Sequence, residues 1–466
     1  MRNEQSVALA LCPRWGTSGP PISLAYLAGA LRKRGHAVAA FDLNVEFVAE
    51  HRAFLERQET DADLWGYPEK YRTLIEPLMY PYLRKWADRI LRAEPAAVCF
   101  STYWSNRYPT HALAQLIKER DSSVRIIMGG PDCAVAENGE ATVREPYVDA
   151  IVHGEGEGPL VEVLAAGARP VPGALVKRGS DILSHDQPSE PVRLDSLPFP
   201  DFSVFELASY DTRHVLPLVT SRGCFAQCVF CVERVMWPSF RMRSPANVVS
   251  EMRYQEHRHR VRMFQFTDSI INGSPSHLKE LCCVLGDARL SWYGNARLDA
   301  FMKPPLLHLM KDSGCHHLIY GIESGSQRVL YHMRKGYSVQ TMSRVLRDTW
   351  HAGIGTEVNF IIGFPGETEQ DFRTTLDFVR EHSGYIDFAC VVGTCSIIPG
   401  TTLETHYRSF GIEYDGTQAW RSADGTNTPA VREARLSRLL EVLEQEGITH
   451  LNGKRKTSKV TPTMSS

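Results

Sequence analysis

The stretch VLPLVTSRGCFAQCVFCVERV, residues 215–235, decides how the rest of the chain is read. It opens on a β-rich run, VLPLVTSRG, and passes directly into a loop that sets Cys224, Cys228 and Cys231 at C-x3-C-x2-C spacing. Three thiolates on one short loop can hold three irons of a [4Fe–4S] cluster, because cysteine ligation is the norm for such clusters. The fourth iron then lacks a protein ligand and stays open to an exchangeable molecule. The competing readings are coincidence and a structural zinc site. Zinc sites of that kind use four ligands in paired spacings, and no second cysteine pair of that form lies nearby.

Downstream of the loop a strand-then-helix grammar repeats. VRMFQFTDS (261–269), LSWYGNARL (290–298), HHLIYGIES (316–324), GTEVNFIIGFP (355–365) and FACVVGTCSIIPG (388–400) read as strands separated by helical stretches. With residues 215–223 they predict a partial or complete parallel barrel over 211–400. Polar residues fall at the carboxyl ends of these strands: Thr267 and Asp268, then Asn295 and Arg297, then Glu323 and Ser324. Residues 401–452 read as a small α-rich extension. The tail 453–466 has no apolar periodicity and reads as disordered.

Upstream, the first 170 residues alternate in the same way. Strands are expected at 7–12, 37–43, 96–102, 124–130 and 149–155, with helices at 22–35, 110–120 and 158–167. Such alternation predicts an open parallel sheet with helices on both faces, and ligands bind such sheets beyond the carboxyl ends of the strands. The residues there are turn formers: Pro13 to Gly19, including Trp15; Thr102, Tyr103 and Ser105; Gly129, Gly130 and Pro131; Gly154, Glu155 and Gly156. About fifty residues separate the second and third strands, where a dozen or more would suffice for a crossover. This aromatic-rich insertion, 45–95, reads as a helical decoration or as a segment packing beside the active site or a partner. Residues 171–210, rich in Pro, Ser and Asp, read as a linker.

The bulk numbers narrow the class. The 466 residues are 43% hydrophobic and 23% charged, and 52 basic against 54 acidic side chains leave a net charge of −2. No global field draws such a chain to nucleic acid or an anionic membrane, and no apolar run reaches the roughly 20 residues of a membrane span. The N-terminus lacks the layout of a secretion signal, so the expected location is cytoplasmic. Eleven cysteines suit metal chemistry better than a disulfide framework. Cys12, Cys99, Cys133, Cys282, Cys283, Cys315, Cys390 and Cys395 show no cluster spacing and read mostly as small buried apolar residues.

On the cysteine triplet and the strand-end residues, the chain resembles the radical S-adenosylmethionine (SAM) enzymes, over about residues 5–450. The resemblance implies that Cys224, Cys228 and Cys231 hold the cluster. It implies that SAM is bound by Phe230, Thr267, Asp268, Asn295, Arg297, Glu323, Ser324, Asn359, Gly363 and Pro365. Arg297 would clamp the SAM carboxylate, as a guanidinium can bind it through paired hydrogen bonds. The segments GPPISLAYLAGALRKRGHAVAAFDLN (19–44), MGGPD (128–132) and HGEGEGPLVEVL (153–164) resemble the cobalamin-binding domain that precedes the barrel in one class of these enzymes. The implied fold is α/β: a Rossmann-like cobalamin-binding domain over 1–170, then a partial (β/α)6 radical SAM barrel. The implied corrinoid contacts are Pro13, Trp15, Gly19, Thr102, Tyr103, Ser105, Gly129, Gly130, Pro131, Gly154, Glu155 and Gly156.

The D-x-H-x-x-G element that supplies a lower cobalt ligand in many cobalamin domains is absent, and His36 and His153 read as structural. A domain that has lost its corrinoid therefore remains the alternative. The resemblance implies methylation of an unactivated carbon, or phosphorus, of a small metabolite or peptide, with a flavodoxin- or ferredoxin-type electron donor. Ring formation, contraction or oxidative rearrangement is the alternative within the class. A non-catalytic corrinoid or cluster carrier is the alternative outside it. No specific catalytic side chain is identified.

Overall fold

The computed structural model describes residues 5–57, 63–66, 68–185 and 189–450, with no side-chain detail at 56, 57 and 63. The tail 453–466 and the last residues of the expected extension lie outside that range. The chain forms two compact units, 1–217 and 218–466.

The first unit is built on a seven-stranded sheet in the order β2-β1-β3-β4-β5-β6-β7. Its strands are β1 (Ser6–Leu11), β2 (Ala37–Asp42), β3 (Ala97–Ser101), β4 (Arg125–Gly129), β5 (Ala150–Val152), β6 (Ala174–Arg178) and β7 (Asp181–Ser184). The first five run parallel. β1, β3 and β4 are near-continuous apolar runs because helices cover both faces. On one face Val7, Leu9 and Leu11 pack with Leu24, Ala28 and Leu31 of helix Ile22–Lys33. On the other, Ala8, Ala10, Val98 and Phe100 pack with Met79, Leu83 and Trp86 of helix Glu76–Leu91, and with Leu113 and Ile117 of helix Arg107–Arg120. Trp65, Tyr71 and Ile75 join that core, so the described part of the insertion is a helical decoration sharing the sheet's own core.

One expectation is corrected here. Residues 171–185 are not linker: β6 and β7 form an antiparallel hairpin that extends the sheet from β5. The alternating pattern of ALVKR and its Gly179 turn (φ 63°) carry the hairpin, and the surrounding Pro-rich stretch masks it.

The second unit has a seven-stranded sheet in the order β18-β15-β14-β13-β12-β11-β8. Its strands are β8 (Val215–Leu218), β11 (Met263–Phe266), β12 (Ser291–Ala296), β13 (Cys315–Glu323), β14 (Gly355–Ile362), β15 (Phe388–Thr394) and β18 (Thr449–His450). Two short antiparallel ladders accompany it: β9 (Ser221–Arg222) with β10 (Arg241–Met242), and β16 (Ile412–Glu413) with β17 (Arg421–Ser422). From β11 to β18 every neighbouring pair is parallel. Ser244, Ser274, Ser326, Ser338, Thr368 and Thr428 cap six of the helices, each accepting a backbone N–H of the first turn. The C-terminal extension is not simply α-rich. Besides helix Pro429–Gln445 it holds the β16–β17 ladder, and β18 pairs with β15 in the main sheet.

Candidate functional site

The cysteine loop leaves β9 through Gly223, whose φ of 87° only glycine adopts readily. A Cβ there would meet the Ser239 carbonyl, so the loop and the β10 approach are tightly apposed. The middle of the loop is fixed from two directions: Val229 N–H donates to the Met333 carbonyl at 3.2 Å, and Leu403 N–H donates to the Val229 carbonyl at 2.8 Å. All three thiols are free, and the Ala226 N–H points at Cys224 Sγ at 3.4 Å. Burial raises the Cys224 thiol, Arg297 counters it, and Cys228 adds to it, so these groups share one electrostatic neighbourhood. Among the described residues no three His, Cys, Asp or Glu side chains converge on a single ion position. A four-iron cluster makes no such demand, because each cysteine holds its own iron. The donor set fits that cluster.

A buried charge network lies beside the loop. Arg297 faces Phe225 of the loop at 5.4 Å and Tyr337 at 5.2 Å. Its guanidinium donates to the Lys335 carbonyl at 2.6 Å, and its backbone N–H donates to Asn272 Oδ1 at 2.9 Å. Lys335 Nζ pairs with Glu323 at 3.0 Å, both side chains under 10% exposed. It also sits 5.8 Å over the Phe230 ring. Burial works against the Lys335 charge, but Glu323, Tyr337 and Cys228 outweigh it and hold the ammonium well above its ordinary range. Glu323 has a φ of 61°, rare for a residue with a side chain and frequent where strain serves a site.

The structure thus brings together Cys224, Cys228, Cys231, Phe230, Arg297 and Glu323. The other expected SAM residues are committed elsewhere. Asp268 accepts from the Thr220 N–H at 2.7 Å and from its hydroxyl, and burial pushes it up to about 6. Thr267 donates to the Leu218 carbonyl at 3.2 Å, and Asn295 donates to the Asp268 carbonyl at 2.9 Å. Ser324 is fully buried against Thr375 at 3.1 Å. Asn359 accepts from Val391 N–H at 3.0 Å. Gly363 donates to Glu367 at 2.8 Å and accepts from Asn427 at 2.9 Å, with Pro365 buried next to it. Sequence reasoning missed Phe225, Asn272, Lys335 and Tyr337. The last two follow helix Gln327–His332, away from any strand end, and only the return of the chain places them at the loop.

In the first unit, the four expected turns lie at the carboxyl ends of β1, β3, β4 and β5, which are neighbours in the sheet. The order 2-1-3-4-5 puts its topological switch between β1 and β3, where such sheets take ligands. Trp15, in the turn after β1, packs against Tyr103, in the turn after β3, with centroids 4.3 Å apart and ring planes tilted by 32°. Asn44 holds the Trp15 backbone on both sides, at 3.0 and 2.8 Å, and Ser105 donates to the Arg14 carbonyl at 2.8 Å. Gly130 (φ 100°) lets β4's turn close over Thr102, whose backbone a Cβ would meet at 2.8 Å. Pro131 then opens helix Pro131–Ala134. A Cβ at Gly16, Gly154 or Gly158 would meet nothing within 4 Å, so backbone is laid bare along this edge. Gly19 would meet only Pro217 at 3.9 Å and Gly156 only Leu27 at 3.2 Å, while Glu155 accepts from Val192 N–H at 3.2 Å. An edge of bare backbone and flat rings fits a large planar cofactor held by shape. His153 hydrogen-bonds the Cys133 carbonyl at 2.8 Å, and His36 the Gln5 carbonyl at 3.3 Å.

Residues 218–379 match the family model of the Radical SAM superfamily. The chain is 26% identical over 427 residues to the uncharacterized methyltransferase PH0819 of Pyrococcus horikoshii, covering 88% of this chain and 80% of that one. It is 25% identical over 413 residues to the cytidylyl-2-hydroxyethylphosphonate methyltransferase of Streptomyces wedmorensis, covering 78% and 73%. Its fold is similar to that of the radical SAM methyltransferase TsrM from Kitasatospora setae, solved with tryptophan and a SAM analogue. There the TM-score is 0.67 at 16% identity, over 95% of this chain and 89% of that one. The TsrM structure with cobalamin and a [4Fe–4S] cluster bound aligns equally well, at 0.67. No described helix is long and apolar enough to cross a membrane.

Proposed function

We propose, from the premise that residues 218–379 are a radical SAM domain, that this chain is a cobalamin-dependent radical SAM methyltransferase. Its target is an unactivated carbon, or phosphorus, of a small metabolite or peptide. The observation that carries the reading is the cysteine loop with Arg297, Lys335 and Glu323 packed beside it. The domain match and the methyltransferase relatives support it.

When bound, the cluster supplies the electron that cleaves SAM to a 5′-deoxyadenosyl radical, and cobalamin supplies a methyl carrier. The chain's own residues do the rest. Cys224, Cys228 and Cys231 would hold the cluster. The Arg297 guanidinium takes the SAM carboxylate, and the ring of Phe230 borders the cluster. Lys335 holds Glu323 and sets positive charge beside the thiolates. Thr267, Asp268 and Asn295 tie β8, β11 and β12 together beneath the loop, and Ser324 and Asn359 lock later strand ends. Gly363 and Pro365 shape the turn that flanks adenine. We read the second sheet as a partial (β/α)6 barrel. In the first unit the turns from Pro13 to Gly156 would hold the corrinoid, while His36 and His153 each bond a backbone carbonyl.

The test is anaerobic reconstitution with iron, sulfide, SAM and hydroxocobalamin, followed by mass analysis of SAM products. The expected outcome is S-adenosylhomocysteine together with 5′-deoxyadenosine. 5′-Deoxyadenosine with no S-adenosylhomocysteine turns the reading to rearrangement, and neither product refutes it.

A further inference from the structure

Residues 333–337, between helices Gln327–His332 and Val339–His351, tie three separate parts of the site together. The Met333 carbonyl accepts from Val229 N–H of the cysteine loop at 3.2 Å. The Lys335 carbonyl accepts from the guanidinium of Arg297, just past β12, at 2.6 Å. The Tyr337 hydroxyl donates to the Gly321 carbonyl in β13. Gly336 turns the chain between the last two, with a φ of 77°.

Tyr337 is buried, and its ring serves two cations at once. Arg297 Cζ lies 5.2 Å and Lys335 Nζ 5.5 Å from its centroid. Its hydroxyl holds Gly321, two residues before Glu323, where the β13–β14 register shifts. A Cβ at Gly321 would collide with Glu323 Oε1 and Lys335 Nζ, so the strand passes directly against that ion pair. Ring and hydroxyl therefore both bear on residues of the site.

The way Arg297 is held leaves it usable. Nη2 donates to the Lys335 carbonyl, Nε lies 3.4 Å from Asp299 Oδ1, and Nη1 has no hydrogen-bond partner among the described residues. An aromatic ring attracts a guanidinium through its π face and uses none of its N–H donors. Tyr337 and Phe225 both restrain Arg297 in this way. The side chain is thus fixed while Nη1 stays free for an anion. The rotamer freedom that a loose arginine would lose on binding is already lost.

We propose that Tyr337 is a positioning residue for SAM: it aims the Arg297 guanidinium at the SAM carboxylate and needs no contact with SAM to do so. The proposal rests on the reading of Arg297 as the partner of that carboxylate.

The experiment is anaerobic titration calorimetry of the cluster-reconstituted full chain, kept oxidised so that no SAM is consumed, with SAM and with decarboxylated SAM as probes. Tyr337→Leu should weaken SAM binding about tenfold, the scale of one cation–π contact, and leave decarboxylated SAM within about threefold of wild type. Tyr337→Phe keeps the ring and should restore most of the SAM affinity. Iron content and absorbance identify variants that have folded and loaded the cluster. If Tyr337→Leu does not load it, Phe225→Leu, which removes the half-exposed second ring, should show the same selective loss in smaller degree. SAM affinity unchanged in the loaded variants, or an equal fall for both probes, overturns the proposal, the second outcome marking a purely structural role. A wild-type chain that carries the cluster but binds no SAM overturns the radical SAM reading and the proposal with it, whereas failure of the proposal alone leaves wild-type SAM binding intact.

Discussion

The carboxyl edges of the two sheets are made of different materials. Along the first, the turns expose backbone: Gly16, Gly154 and Gly158 leave peptide groups uncovered, and the Trp15–Tyr103 pair supplies aromatic surface. Along the second, the same position in the architecture carries thiols, a guanidinium and a buried ammonium–carboxylate pair within one network. Backbone and rings suit a large planar group recognised by shape; concentrated charge suits a small charged one and a metal cluster. One βα grammar thus carries two unlike edges, the first made by residues that follow the strands and the second drawing Lys335 as well from beyond helix Gln327–His332.

The comparison breaks first at the cysteines. Replacing any one of Cys224, Cys228 or Cys231 by Ala should abolish the brown iron–sulfur absorbance and reductive SAM cleavage, while Cys282→Ala and Cys315→Ala, both outside the loop, should keep the absorbance. Ultraviolet–visible spectra and 5′-deoxyadenosine analysis measure it, and a triplet variant with intact cluster would defeat the assignment.

The charged edge should next show how costly its network is to interrupt. Lys335→Met leaves Glu323 buried without its cation, which should destabilise the unit by about 3–5 kcal/mol, read from urea unfolding. The double change Lys335→Met with Glu323→Gln should recover part of that loss.

On the backbone edge the sensitive position is a glycine. Gly130→Ala forces a side chain into φ 100°, ψ −176° and against the Thr102 backbone, at an expected cost of about 1–3 kcal/mol. Cobalamin uptake by gel filtration should fall with it, while iron content stays at the wild-type level.

The smallest effect concerns a feature both sheets share. Asp42 at the end of β2 and Asp268 after β11 are each raised by burial from 3.8 to about 6. Between those values the folded state holds a proton that the unfolded chain has released, so each group's own contribution to stability is greatest below about pH 4 and falls as pH rises to 6. Asp42→Asn and Asp268→Asn should each flatten that slope, by at most about 1–3 kcal/mol across the window. Stability curves at pH 4, 5 and 6 would show it, and a slope unchanged in both variants would contradict the burial argument.

The sequence by itself determined the parts whose chemistry is local. The strands repeat an apolar period that survives without knowledge of their neighbours, and three cysteines within eight residues are close wherever the loop goes. The glycine turns were legible for the same reason, since a left-handed backbone is demanded by the turn itself. Only the tertiary structure decided which partners the strand-end polar groups find within the fold. Asp268, Ser324 and Asn359 carry donors and acceptors of the right kind, but their hydrogen bonds close onto Thr220, Thr375 and Val391. Lys335 reaches the cysteine loop from 12 residues beyond Glu323, and the hairpin of β6 and β7 takes its place only by pairing with β5. The physical reason is common to all of these. A side chain's type fixes what it can bond to, while its partner is fixed by chain segments far away in sequence, which no local pattern encodes.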